Sequence, residues 1–180
     1  VHGEVGSDQI GDRVVAETRG NPLALLELPR GLTPAQLAGG LGLVAAGALA
    51  GRIEESFLAR LKALPGDAQR LLQVAAAEPT GDPGLLWRAV ERLGIIGSAL
   101  ESARSTGLIE IDGRVRFRHP LVRTAAYRTA TPDERRLVHR ALADATDAQT
   151  DPDRRAWHLA EAAAGPDEDV AAELERAAGR

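Results

Sequence analysis

The residues best placed to do chemistry lie in Arg116-Phe-Arg-His-Pro-Leu-Val-Arg123. Proline suits the first turn of a helix, and the residue before it is pushed towards extended backbone. His119 is therefore expected just outside a helix N-terminus, where free N–H groups and the helix dipole favour an anion. Arg118 and Arg123 lie close by in sequence. The plainer alternative is that His119 caps the helix or simply lies on the surface. A second proline-marked junction is Gly20-Asn21-Pro22, where one helical run stops and Leu23 to Leu28 begins another. Taken alone, it is a C-cap followed by proline at the next first turn.

Other chemistry is harder to assemble. His2 is terminal, and His139 and His158 fall on separate helices with no partner at metal-ligand spacing. The absence of cysteine removes disulfides, thiol catalysis and zinc–cysteine sites together. Glu54-Glu55 and Asp133-Glu134 are adjacent on helices, so each pair points in two directions and reads as solvated surface. Gly40-x-Gly42-x-x-Ala45 superficially fits a dinucleotide fingerprint, but no buried strand precedes it and Glu54 comes too soon after it. No Gly-Lys-Ser/Thr phosphate loop occurs. These absences argue against an enzyme.

Nucleic acid is poorly served as well. Net charge is −4, which favours neither a phosphate backbone nor an anionic membrane. Residues 53–130 hold 11 basic and 9 acidic side chains, a balance of only +2. Ser98 to Thr106 offers one Arg against one Glu for base edges, although Arg114, Arg116 and Arg118 on a hairpin tip could meet phosphates. Direct DNA contact is not expected. No apolar run reaches the ~18 residues of a membrane span.

The elements that must position these groups follow from periodicity. Ile109 and Ile111 alternate with Glu110, and Val115 and Phe117 with Arg114, Arg116 and Arg118, the pattern of two half-buried strands. A two-residue turn at Asp112-Gly113 would oppose Ile111 to Arg114. A three-residue loop instead sets Ile111 against Val115, Ile109 against Phe117 and Glu110 against Arg116, and is preferred. Upstream, helical spacing runs through Ile53, Phe57, Leu61 and Leu64, breaks at Pro65-Gly66, and resumes from Ala68 to Ala77. Helices are expected around Leu86, Trp87 and Val90 and from Ser98 to Thr106; others start at Pro120, Thr131, Asp151 and Gly165. Hydrophobic content of 44% with only 3% aromatics calls for small, close-packed helices.

The fold class expected is mainly α, a winged-helix domain with one β-hairpin flanked by helical segments. Residues 1–30 end an earlier domain, 31–52 form a Gly-rich linker, 53–130 the winged helix, and 131–180 a helical region opening a repeat-like array. This last region has 12 acids and 7 basic residues, a balance of −5. With no methionine anywhere, the chain reads as a piece of a longer protein.

Glu17-Thr-Arg-Gly-Asn-Pro-Leu-Ala-Leu-Leu-Glu-Leu-Pro29, Gly51-Arg-Ile-Glu-Glu-Ser-Phe-Leu58 and Arg116 to Tyr127 together resemble the large actinobacterial LuxR-family transcriptional regulators. These carry a STAND-class, AAA+-like ATPase, helical repeats and a C-terminal helix-turn-helix. The resemblance covers almost all of residues 12–180 and implies a cytoplasmic regulatory segment: the end of the nucleotide-binding lid, a winged helix and the first repeat-like helices. Gly20, Asn21 and Pro22 match the family's nucleotide-facing motif, and His119 matches the histidine that reaches the diphosphate in the ADP-bound state. The implied cofactor is ATP or ADP in the full-length parent, with none expected in the isolated piece. The implied partners are the parent's NTPase core and DNA-binding domain, with self-association left open. Walker A, Walker B and the DNA-binding domain are missing, so this piece is not expected to hydrolyse ATP. Two alternatives stand beside this: an independent winged-helix DNA binder, and a helical protein-interaction scaffold.

Overall fold

The computed structural model describes residues 46–179. Gly20, Asn21 and Pro22 lie outside the described residues, as do segment 1–30 and the first part of the linker 31–52. The chain divides into two compact units, Val1–Ala59 and Arg60–Arg180.

The described part of the first unit belongs to a helix, α1 (Ala46–Lys62), with Ile53 and Phe57 buried. It begins inside the span read as a linker. Alanine is the best helix former, and here the alanines of Ala45-Ala-Gly-Ala-Leu-Ala50 offset two glycines that each cost about 1 kcal/mol.

The second unit is built round α2 (Gly66–Ala77), in which every residue from Leu71 to Ala77 is buried. Its alanines leave room for close approach on several sides, as a core without large rings requires. Around it lie α3 (Pro83–Arg92), α4 (Ser98–Ser105), α5 (Pro120–Thr129) and α6 (Pro132–Ala145), each in contact with α2. Then come α7 (Pro152–Ala162), packed on α6, and α8 (Glu168–Ala178), packed on α7. The caps explain the boundaries. Asp82, Thr131, Asp151 and Asp167 each accept a backbone N–H of the turn they open, and Thr131 with Glu134 completes a reciprocal capping box.

Two short strands, β1 (Ile109–Asp112) and β2 (Arg114–Phe117), separate α4 from α5. They pair antiparallel with Ile109 opposite Phe117, Glu110 opposite Arg116 and Ile111 opposite Val115. This is the register that the alternation favours. Gly113 takes φ +61° at the tip. A second glycine, Gly81 (φ +68°), brings its carbonyl to the Val115 N–H at 2.9 Å, tying the loop before α3 to β2. A Cβ at Gly81 would meet the Val115 carbonyl.

Among the described residues the fold is thus eight helices and one two-stranded antiparallel sheet. Trp87 departs from expectation: Leu85, Leu86, Ala89 and Val90 form the buried stripe of α3 while Trp87 is 38% exposed. No division of packing falls at residue 130, since α6 contacts both α2 and α3 and the compact unit runs unbroken from Arg60. No helix among the described residues is long and apolar enough to cross a membrane.

Candidate functional site

His119 is the N-cap of α5, with φ −148° and ψ 146°, the extended backbone that a following proline imposes. Its side chain is half-buried and turned to its own helix: Nδ1 accepts the Leu121 N–H at 3.1 Å. An accepting Nδ1 places the ring proton on Nε2, so the capping imidazole retains one N–H donor beside the helix start. The capping reading thus holds geometrically, and it leaves a donor where an anion is favoured. Arg118 is exposed. Arg123 does not converge on His119; its Nε donates to the Ala76 carbonyl at 2.8 Å.

A larger polar constellation lies elsewhere, on the two histidines that have no partner at metal-ligand spacing. His139 of α6 and His158 of α7 are 1% and 0% exposed, and their Nδ1 atoms sit 3.0 Å apart. His139 Nε2 lies 3.0 Å from the Tyr127 hydroxyl, and His158 Nε2 lies 3.3 Å from Glu78 Oε2. The other Glu78 oxygen accepts from the Thr80 N–H at 2.7 Å and the Thr80 hydroxyl at 2.5 Å. Arg154 stands 3.8 Å from the same carboxylate and pairs with Asp151 at 2.8 Å.

The donor inventory constrains the direction of this chain. Burial by itself would raise the Glu78 carboxyl, but hydrogen bonds from His158 and Thr80, with the Arg154 charge, outweigh it and hold the group at about 2. Glu78 is then a carboxylate and can only accept, so His158 Nε2 donates. In a neutral His158 ring, Nδ1 accepts from His139 Nδ1–H, and His139 Nε2 accepts from the Tyr127 hydroxyl. With that ring neutral, every link is satisfied by one arrangement. Burial first, and the neighbouring His158 second, lower His139 from 6.5 to about 4, which keeps its ring neutral. Among the described residues no buried side-chain nitrogen or oxygen is left unpartnered.

The Tyr127 end of the chain faces an open cavity of about 420 Å³ between α2, α5, α6 and α7. Its floor is small, at Ala76 and Ala77, and its walls include Arg123, Tyr127, Trp157 and Glu161. Trp157 stacks edge-on to His139 with centroids 5.3 Å apart and is nevertheless 40% exposed. Burial first, and the Glu161 charge second, raise the Tyr127 hydroxyl, with Arg135 opposing from 5.1 Å above its ring.

No group of three or more His, Cys, Asp or Glu side chains among the described residues could hold a metal ion. Metal-ligand spacing does not point to this buried chain, because the partners of its histidines are a tyrosine, each other and a glutamate eighty residues from His158. The signal the sequence does carry is burial. His139 follows Val138 and precedes Ala141 and Leu142, and His158 lies between Ala156 and Leu159, all on buried stripes where an imidazole must find partners. No protein-family model, curated protein or solved structure matches the chain.

Proposed function

We propose that this chain is a non-catalytic regulatory segment of an ATP- and ADP-responsive transcriptional regulator of the LuxR type, with residues 53–130 acting as a winged helix that reports nucleotide state. The observation that carries this reading is His119. It sits at a helix start, is not sunk in the apolar core, and keeps an Nε2–H donor while Nδ1 caps α5. A donor on an electropositive helix end suits a phosphate oxygen. The three-helix, hairpin, helix order agrees with a winged helix, and Arg114, Arg116 and Arg118 lie exposed on its hairpin side. In the parent, the segment closes on ADP through His119, while Gly20, Asn21 and Pro22 are matched to the nucleotide-facing motif by resemblance alone. It releases when ATP takes its place, as a shift between two packings.

The test is ADP retention by the full-length parent carrying His119→Asn. Asparagine is a good N-cap, so the fold is preserved while the ring donor is removed. Faster ADP loss and higher basal transcription are expected. Unchanged ADP affinity defeats the assignment.

A further inference from the structure

The cavity beside Tyr127 has a composition that helix packing alone does not call for. Its volume, about 420 Å³, falls within the ~300–1,000 Å³ range of small-molecule sites. It presents an aromatic platform, a cation and an anion. Trp157 leans on the two imidazoles, with centroids 5.3 Å from His139 and 4.7 Å from His158, and keeps 40% of its surface open. An indole held rigid and left open suits a planar ring. Arg123 is anchored through Nε to the Ala76 carbonyl at 2.8 Å, which fixes the guanidinium at the wall. Its two terminal nitrogens find no carboxylate among the described residues, and their fork geometry matches one. Glu161, from α7, lines the same space without an ion-pair partner among the described residues. The other charged group facing Tyr127 is Arg135, which lies over its ring.

We infer that this cavity binds a small zwitterion with a planar ring, an aromatic α-amino acid, whose carboxylate meets Arg123, whose ammonium meets Glu161 and whose ring stacks on Trp157. Each of the three features has its own complement, so a ligand lacking one of them binds less well. The Tyr127 hydroxyl donates inward to His139 and can still accept a hydrogen bond from the ligand's ammonium. Occupation of the cavity is thereby linked to the far end of the buried chain at Glu78. This inference does not depend on the nucleotide reading, because His119 is not among the cavity walls.

The test uses the whole 180-residue chain with Trp87→Phe, so that Trp157 is the sole indole, and follows its fluorescence as L-phenylalanine is added. Saturable binding is expected. Phenylpropionate, without the amine, and phenethylamine, without the acid, should each bind roughly tenfold more weakly, the loss typical of one charge-assisted contact. Glu161→Gln, an exposed change, should bring L-phenylalanine down to the phenylpropionate level, and Arg123→Gln should do the same for the carboxylate. No saturable change up to millimolar L-phenylalanine overturns the inference. Equal binding of all three compounds, or binding indifferent to Glu161→Gln, overturns it too.

Discussion

Lowering the pH should weaken this fold chiefly through one imidazole. His139 is 1% exposed, and its folded value lies at about 4 against an ordinary 6.5. At neutral pH both folded and unfolded chains leave the ring uncharged, so the shift contributes nothing there. Below 6.5 the unfolded chain takes up a proton that the folded chain refuses, and stability falls with pH until the folded ring titrates in turn at about 4. Integrated from about pH 7.5 to about pH 5, the loss is about 2 kcal/mol, since at the lower value the unfolded ring is almost fully protonated and the folded ring hardly at all. Glu78 pushes the same way but later: its depressed carboxyl stabilises the fold above 4.5, and that support is lost as pH falls towards about 2. The two effects therefore occupy adjoining windows. The assay is urea unfolding of the chain and of a His139→Gln variant at both pH values. The variant should be less stable at neutral pH, because one amide cannot reproduce both ring contacts. It should lose about 2 kcal/mol less on acidification, and groups remote from the substituted ring cancel in that difference. A wild-type-minus-variant difference that does not move with pH refutes the reasoning.

Two further outcomes follow from the geometry. Gly81→Ala should cost more than about 2 kcal/mol, because a left-handed φ is compounded by collision with the Val115 carbonyl. Gly113→Ala, with the same sign of φ and open space round its Cα, should cost about 1 kcal/mol. Urea midpoints that rank the two the other way would contradict this account of the loop. Tyr127→Phe should lower the thermal midpoint by the equivalent of about 1–3 kcal/mol, since it leaves the buried Nε2 of His139 without a donor; an unchanged midpoint would mean that the hydroxyl is not that donor.

The parts of this structure that could be read from sequence are those decided within a few residues. The hairpin register follows from Ile109, Ile111, Val115 and Phe117 choosing one face, and a slip of one residue would have put Arg116 inside. His119 could be placed because proline constrains both itself and its predecessor. The start of α1 was hidden because glycines at 47 and 51 look like breaks when alanine's propensity is not summed over the window. The helix expected around Leu86, Trp87 and Val90 forms, but Leu85, Leu86, Ala89 and Val90 complete the buried stripe of α3 and leave Trp87 outside it. The histidine chain was out of reach for a different reason. Its links join α2, α5, α6 and α7, and no local pattern specifies which buried polar groups will meet across such separations.

The Glu78–His158 link also orders events in time. A chain leaving the ribosome completes α2 long before α7 exists, and in that interval the carboxylate at residue 78 has no imidazole to receive it. Closing a loop of this length comes late in folding. The network inside Arg60–Arg180 can therefore close only after α7 has been made, and a chain ending before residue 158 would leave the carboxylate of Glu78 without its imidazole partner.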